Sequence, residues 1–475
     1  MGEIKFGTDG WRAVMCDTFT FSNVRLVAQA IADYLRAHYP AESAEKGVLV
    51  GYDSRFLAER FADEAARVLA ANGIRTLVTA VDAPTPVVAH AVVVRQAAGA
   101  LMFTASHNPP EYNGLKFIPD YGGPAAPEIT REIEERLDGV LARGQMRQLS
   151  AEEARASTLI ESIDPRPDYL HHLSSLVDFG LIRNAGLRVI YDPMYGTGRH
   201  YLGRILTEAG CQVRVIHGQR DPLFGGLNPE PTEEQLAELT GLVKGGEADL
   251  GLATDGDADR FGVIDSQGRY ITPNQVISLL LAHLAGKGER GGVARTVATT
   301  HLIDRLAVKY GLAAYETPVG FKHICQLMRE KPILIGGEES GGLSIGRHIP
   351  EKDGILACLL VAELRAAAKK PLAQILDELM REVGPSFSRR IDIHLPEERK
   401  RAVIENLKIN PPEEVGDQAV TGVNTIDGVK VTLKDGSWFL ARPSGTEPLL
   451  RIYVEAGSEG LLQKRIAEVR ALVEA

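Results

Sequence analysis

The feature that most limits what this chain can become is a unit that recurs: an apolar run, a helical pattern, then a glycine. "GVLVGYD" (47–53) precedes "LAERFADEAARVLAANG" (57–73), "LRVIYD" (187–192) precedes "RHYLGRILTEAG" (199–210), and "RTVATT" (295–300) precedes "LIDRLAVKYG" (302–311). Short apolar runs bounded by turn residues read as buried strands, and 3.6-residue periodicity closed by glycine reads as a helix with its stop signal. Alternation of the two predicts an α/β class with a sheet in each module, used about three times despite slight identity between the copies. From about residue 386 the texture changes to "SRRIDIHL", "VKVTLKDGSWFLARPSG" and "LLRIYVEAG". These read as hairpin strands with "KDGSW" as a turn, followed by a terminal helix, so a smaller α+β domain. The boundaries expected are 1–160, 161–270, 271–385 and 386–475, with "ESIDPRPDYL" (161–170) and "GPSFSRR" (384–390) as linkers.

With 475 residues, 44% of them hydrophobic, the chain can bury several cores. Its formal charge of −10 disfavours nucleic acid or an anionic membrane as the main partner. Cys16, Cys211, Cys325 and Cys358 lie far apart with no C-x-x-C pair, which predicts reduced thiols rather than a zinc site or disulfide framework. The start "MGEIKFGTDGWRAVM" lacks an apolar signal core, and no apolar run approaches the ~18 residues of a membrane span. A soluble, cytoplasmic protein is expected.

Four polar loops carry the chemistry. The first is "FTASHNPPEYNGLKF" (103–117), where Ser106 and His107 follow the buried run "AGALMF". In an extended chain adjacent side chains point to opposite faces, so His107 is poorly placed as a triad base for Ser106. Thr104 and Asn108 stand where a nucleophile elbow needs glycines. Ser106 is therefore expected on a rigid loop at the end of a strand, where α/β proteins place ligands.

The second is "ATDGDADRFGVID" (253–265). Asp255, Asp257 and Asp259 alternate, so an extended loop aims three carboxylates at one point, and their repulsion asks for a cation with oxygen preference such as Mg²⁺ or Mn²⁺. An EF-hand is excluded, because Arg260 occupies the turn-glycine position and Ser266 the place of the bidentate acid. Arg260 beside the cluster suits an anionic substrate. The third loop, "GGEESGG" (336–342) trailed by "RHIPEKDG", offers Glu338 and Ser340 on one side as hydroxyl ligands. The fourth, "RPSGTEPLLR" (442–451), gathers Arg442, Ser444, Thr446 and the amides around Gly445 as phosphate donors, with Arg451 beyond. "YDPMYGTGRHYLG" (191–203) misses the dinucleotide spacing, and no P-loop occurs.

Taken together the loops describe phosphoryl transfer on a phosphorylated sugar. From "GTDGWR" (7–12) to "RPSGTEP" the motifs occur in the order found in the α-D-phosphohexomutase superfamily, the phosphoglucomutase/phosphomannomutase family, which the chain resembles over essentially its whole length. The resemblance implies a heart-shaped fold of four domains around a central cleft, three similar mixed-sheet α/β modules and a smaller mobile one. It implies that Ser106 is the phosphoserine, that Asp255, Asp257 and Asp259 with Ser106 hold Mg²⁺, and that His107 and Lys116 serve proton transfer and charge stabilisation. Arg12 and Arg260 are expected around the transferred phosphate, Gly320, Glu338, Ser340 and Lys352 at the sugar, and Arg442, Ser444, Gly445, Thr446 and Arg451 at the other phosphate. A monomer or homodimer acting on hexose phosphates, activated by glucose 1,6-bisphosphate, is the implied protein.

For the sugar, "GEES", "ETPVGFK" (316–322) and "EKDG" (351–354) resemble glucose-directed members. Dual glucose/mannose members usually carry Met at the position of Glu339, and glucosamine members Gln. "SHNPPEYNGLKF" is closer to the dual branch, and Gly342 stands where that branch has His. Interconversion of glucose 1-phosphate and glucose 6-phosphate is expected, with mannose phosphate the near rival and mixed activity favoured by the small energy of one hydroxyl. Two other classes are a metal-dependent sugar phosphatase and a non-catalytic sugar-phosphate sensor. The first would release inorganic phosphate; the second would usually have lost Ser106 or an aspartate.

Overall fold

The computed structural model describes residues 4–7, 9–443 and 449–474. Each recurring unit forms as its periodicity dictates. Strand Val48–Tyr52 leads to helix Ala58–Ala71, Arg188–Asp192 to Leu202–Glu208 after a 3₁₀ turn at Thr197–His200, and Gly292–Thr296 to Leu302–Tyr310. The last of these helices closes at Gly311 with a φ of 66°, a conformation that glycine adopts without penalty.

The strands sort into four sheets. In the first, the order is Trp11–Val14, Tyr112–Pro119, Gly99–Phe103, Val48–Tyr52, Thr76–Thr79 and Ile160–Ile163. The second runs Tyr270–Ile271, Phe261–Asp265, Leu250–Thr254, Arg188–Asp192 and Gln212–Val215. The third runs Ala314–Thr317, Gly292–Thr296, Ile333–Gly337 and Leu343–Ile345. All three are mixed sheets. In each, a strand with a parallel partner turns through a polar loop and returns antiparallel beside itself: Gly99–Phe103 into Tyr112–Pro119, Leu250–Thr254 into Phe261–Asp265, and Ile333–Gly337 into Leu343–Ile345. These three connections are the serine loop, the triple-aspartate loop and the Glu338 loop.

The fourth sheet is wholly antiparallel, Phe387–His394, Leu449–Ala456, Trp438–Pro443, Val429–Leu433, Gln418–Asn424 and Glu414–Val415, with helix Glu459–Glu474 after it. Its hairpin turn falls at "KDGSW", where the Leu433 amide donates to the Ser437 carbonyl. The two segments expected as linkers are partly ladder. Ile160–Ile163 pairs parallel with Thr76–Thr79, and Phe387–His394 pairs with Leu449–Ala456. Ile160–Ile163 shows no clear two-residue alternation, so its pairing has no strong signal along the chain, whereas "RIDIHL" alternates and forms the strand its pattern predicts.

Helix Gly354–Ala368 is apolar almost all round and buried along nearly its full length, as a helix without a polar face must be. It packs Ile355 and Leu359 into one core shared with Val189 and Leu252 of the second sheet and Ile335 of the third. Its first residue, Gly354, donates its amide to the Ala258 carbonyl at 3.0 Å, so the third module abuts the triple-aspartate loop of the second. All four cysteines are free. Among the described residues no helix is long and apolar enough to cross a membrane.

Leu359 is fully buried at this shared core. Leu359→Ala is expected to lower unfolding free energy by about 2–5 kcal/mol, read from the urea midpoint; an unchanged midpoint would show that the two modules do not depend on a common core.

Candidate active site

The serine, triple-aspartate and Glu338 loops meet in one cleft. Ser106 has a φ of 49°, unusual for a residue with a side chain, and its amide donates to Thr104 Oγ1 at 2.8 Å. Its hydroxyl donates to Asp255 Oδ2 at 3.0 Å. This backbone turn corrects the expectation drawn from an extended chain: His107 Nδ1 lies 3.4 Å from Ser106 Oγ, on the same side. No carboxylate pairs with the His107 ring among the described residues, so no triad is assembled. Desolvation, then the charges of Arg260, Arg12, Arg55 and Lys116, push the imidazole well below its ordinary pKa, and the ring is neutral.

Asp255, Asp257 and Asp259 are buried, with carboxylate oxygens within 4.8 Å of one another. They converge by a turn rather than by extended alternation. Ala258 has a φ of 56°, its amide donates to the Asp255 carbonyl, and Asp255 Oδ1 accepts from the Arg260 amide. Burial and then the carboxylates of Asp259 and Asp257 push Asp255 well above the usual carboxylate range. Among the described residues, Oδ1 of Asp257 and Oδ1 of Asp259 are buried without a hydrogen-bond partner. Orphaned acceptors in an all-oxygen set are what a hard divalent cation satisfies, so these residues fit a metal ion.

Two lysines compensate the triplet. Lys116, from the return strand of the first sheet, places Nζ 3.0 Å from Asp257 Oδ2, Asp259 Oδ2 and Asp9 Oδ2 alike. Burial alone would lower Lys116, but the carboxylates of Asp257, Asp259 and Asp9 outweigh it and keep the ammonium charged. Lys352 Nζ stands 3.4 Å from Asp259 and from Asp9, and 3.1 Å from Glu351. Burial would raise Asp9, yet Lys116, Lys352 and Arg12 hold it well below the usual range. Arg12 donates to Asn108 Oδ1 at 2.8 Å in the serine loop, and Arg260 to Glu230 Oε1 at 2.9 Å. Thr85, opening helix Thr85–Arg95, donates its hydroxyl to Asp257 Oδ2 at 2.6 Å.

Glu338 is buried, accepts from the Gly320 amide at 2.9 Å, and is raised to about 7 by burial and by Glu339. Ser340 lies half-buried in the turn that follows. A bridge between Arg260 and Gly342 sews this loop to the triple-aspartate loop. A Cβ at Gly342 would stand 2.5 Å from Lys352 Cδ, so the lysine occupies the room that a larger residue would need.

The fourth sheet carries Arg442 and Arg451 directly opposite each other on adjacent strands. Facing like charges are destabilising, and an anion between them would offset that cost. Arg442 Nε donates to Asp427 Oδ2 at 2.8 Å, and the same oxygen accepts from the Val319 amide at 3.0 Å, next to Gly320. Asp427 thus joins Arg442 of the fourth sheet to the Val319–Gly320 segment of the third module. Ser444, Gly445 and Thr446 lie outside the described residues.

The cleft therefore brings together Ser106, His107, Lys116, Arg12, the three aspartates, Arg260 and Lys352, with Gly320 and Glu338 beside them. Sequence reasoning missed Asp9, Thr85, Glu230, Glu351 and Asp427. Two of these stood in quoted motifs: Asp9 is the acid within "GTDGWR" and Glu351 opens "EKDG".

Family models match along the whole order of modules: phosphoglucomutase/phosphomannomutase alpha/beta/alpha domain I over residues 3–142, domain II over 167–268, domain III over 272–383, and the C-terminal domain over 395–472. A phosphoglucomutase from Komagataeibacter xylinus is 30% identical across 96% of this chain and 87% of its own. A phosphoglucosamine/phosphogalactosamine mutase from Sulfurisphaera tokodaii is 30% identical over the full length of both. The crystal structure of a Thermus thermophilus protein classed with the phosphomannomutases shares 34% identity and a TM-score of 0.86, covering 99% of each chain.

In metal-free protein, Lys116→Met leaves buried carboxylates without their central cation and is expected to cost about 3–5 kcal/mol of stability. Chemical denaturation checks this, and added divalent cation should return part of the loss; equal midpoints for variant and parent would contradict the charge balance described.

Proposed function

The chain belongs to the phosphoglucomutase/phosphomannomutase family and is a phosphohexomutase, an intramolecular phosphotransferase; on that premise we propose that it interconverts α-D-glucose 1-phosphate and glucose 6-phosphate through a phosphorylated Ser106 and a glucose 1,6-bisphosphate intermediate. The observation that carries this reading is the buried Ser106 hydroxyl 3.0 Å from Asp255, at the edge of a carboxylate triplet ringed by lysine and arginine.

Asp255, Asp257 and Asp259, with an oxygen on Ser106, would hold Mg²⁺, which when bound neutralises charge on the transferring phosphoryl group. The chain's own groups do the rest. Arg12, Arg260 and the two lysines surround the phosphoryl position with fixed positive charge, worth most in a buried site of low dielectric. In the first transfer a sugar oxygen bonds to phosphorus, the bond from phosphorus to Ser106 Oγ breaks, and the sugar's hydroxyl proton ends on Oγ. In the second, Oγ bonds to the other phosphorus of the bisphosphate, that phosphorus leaves its sugar oxygen, and the proton returns from Oγ to the sugar. His107 Nδ1, 3.4 Å from Oγ, stands beside the path of that proton and outside the carboxylate set that would hold the metal.

Glu338 accepts sugar hydroxyls, and Arg442 with Arg451 takes the phosphate that is not transferred. The bisphosphate must turn over between half-reactions, so the cradle has to accept either phosphate. Two opposed arginines bind a phosphate by charge and fork geometry and do not read which carbon bears it. Glucose is favoured by "GEES" and by Lys352 filling the space beside Gly342. The amino-sugar name of the Sulfurisphaera relative favours glucosamine phosphate as a second substrate.

Ser106→Ala should abolish turnover and leave a folded protein. Coupled assays of glucose, mannose and glucosamine 1-phosphates in parallel test the substrate, and steady release of inorganic phosphate instead of isomer would point to a phosphatase. A trace of glucose 1,6-bisphosphate should raise the rate of dephosphorylated enzyme. Because Glu338 is raised to about 7, it is protonated below that pH and loses its strength as a hydroxyl acceptor. KM for the sugar phosphate should therefore fall as pH rises through about 7. In Glu338→Gln that part of the pH profile should vanish, and a profile unchanged by the substitution would remove Glu338 from sugar binding.

A further inference from the structure

The reaction as proposed makes no use of Arg55, whose side chain is fully buried together with that of Asp53. Arg55 follows strand Val48–Tyr52, about fifty residues before the serine loop, yet its guanidinium is spent almost entirely on that loop. Nη2 donates to the carbonyls of Ser106 at 2.7 Å and Asn108 at 2.6 Å, and Nη1 to those of Pro109 at 2.8 Å and Tyr112 at 3.0 Å. Nε faces Asp53 Oδ2 at 3.3 Å, and the group lies 4.9 Å over the Phe224 ring. Four converging carbonyls on one arginine is more than a loop needs merely to be covered.

The Ser106 carbonyl is held from two sides. A Cβ at Gly256 of the triple-aspartate loop would stand 2.8 Å from that oxygen, so only glycine lets the second loop close on it. The peptide that follows is trans, as is every peptide bond in the described chain. In a planar trans peptide the N–H points opposite to the C=O. With the Ser106 carbonyl aimed at Arg55, the His107 amide is turned away from it. Among the described residues the Ser106 amide is used by Thr104 Oγ1 and the Asn108 amide by the Ala105 carbonyl, whereas the His107 amide donates to nothing. Pro109 and Pro110 have no N–H to offer.

We propose that Arg55 is a positioning residue: by gripping the Ser106, Asn108, Pro109 and Tyr112 carbonyls it fixes the Ser106–His107 peptide so that the His107 backbone N–H is presented to the phosphoryl group on Ser106. The inference rests on the reading of Ser106 as the phosphate carrier. It also accounts for arginine at this position, since a lysine carries the charge but has neither the planar fork nor enough donors for the carbonyls and Asp53.

The test uses the full-length chain and two readouts. Arg55→Lys should lower kcat by about 10²-fold or more, the cost of one misaimed oxyanion donor, with KM for glucose 1-phosphate unchanged. Wild-type protein labelled with ¹⁵N-histidine, phosphorylated with glucose 1,6-bisphosphate, should show one of its 12 histidine amides moving downfield, and the signal missing from His107→Gln identifies it as His107. The shift should be lost in Arg55→Lys. Wild-type kcat in a folded Arg55→Lys, or a His107 amide that phosphorylation leaves in place, would overturn the proposal. If Arg55→Lys does not fold, the wild-type comparison decides alone. Intact mass separates the two readings: no added phosphoryl group overturns the role of Ser106 and this inference with it, whereas a phosphoryl group with an unmoved amide overturns this inference only.

Discussion

Three buried carboxylates packed within 4.8 Å of one another are the constraint around which this molecule is arranged. Buried charges are tolerated when they are paired, and removing one partner exposes the full desolvation cost of the other. The pairing here is drawn from several segments around the cleft. Lys116 arrives from the first sheet, Lys352 from the third module, and Asp9 from the segment before the first strand bridges both lysines. Thr85 and the Gly354 amide bind the same loop from helix starts on either side. The centre of chemistry and the junction between modules are thus one set of contacts.

The same charges suit the proposed reaction. A phosphoryl group entering this cleft meets ammonium and guanidinium groups already held in place by carboxylates, so little reorganisation is needed when negative charge shifts from one oxygen to another.

One structural device serves three loops, and the same antiparallel strand pairing recurs in the fourth sheet. A central strand ends, a polar loop turns at the sheet's edge, and the chain returns antiparallel, so each loop is anchored at both ends by ladder hydrogen bonds. In the first three modules this projects serine, aspartates and glutamate into a common cleft. In the fourth it sets Arg442 against Arg451, and Asp427 ties that pair to the Gly320 segment of the third module. In the proposed reaction, the groups assigned to the far phosphate and to the sugar therefore share a contact.

Much of this is legible in the sequence. Strand–helix alternation is a local periodicity, and serine, three alternating aspartates, Glu338 and the arginines declare their chemistry by residue type. The departures are local too. His107 sits on the serine's side because of a left-handed Ser106 backbone that residue type does not reveal, and the strand at 160–163 alternates too weakly to stand out from a linker. Asp427 and Arg55 are hidden because each is ordinary in its own neighbourhood. What the sequence determined by itself was therefore the class of fold, the order of modules and the kinds of group at the site, since these depend on neighbours along the chain. Which charge neutralises which, and which carbonyl faces Arg55, was decided only by tertiary structure. Partners 51 or 143 residues apart come within hydrogen-bonding reach through sheet register and packing that no short stretch encodes.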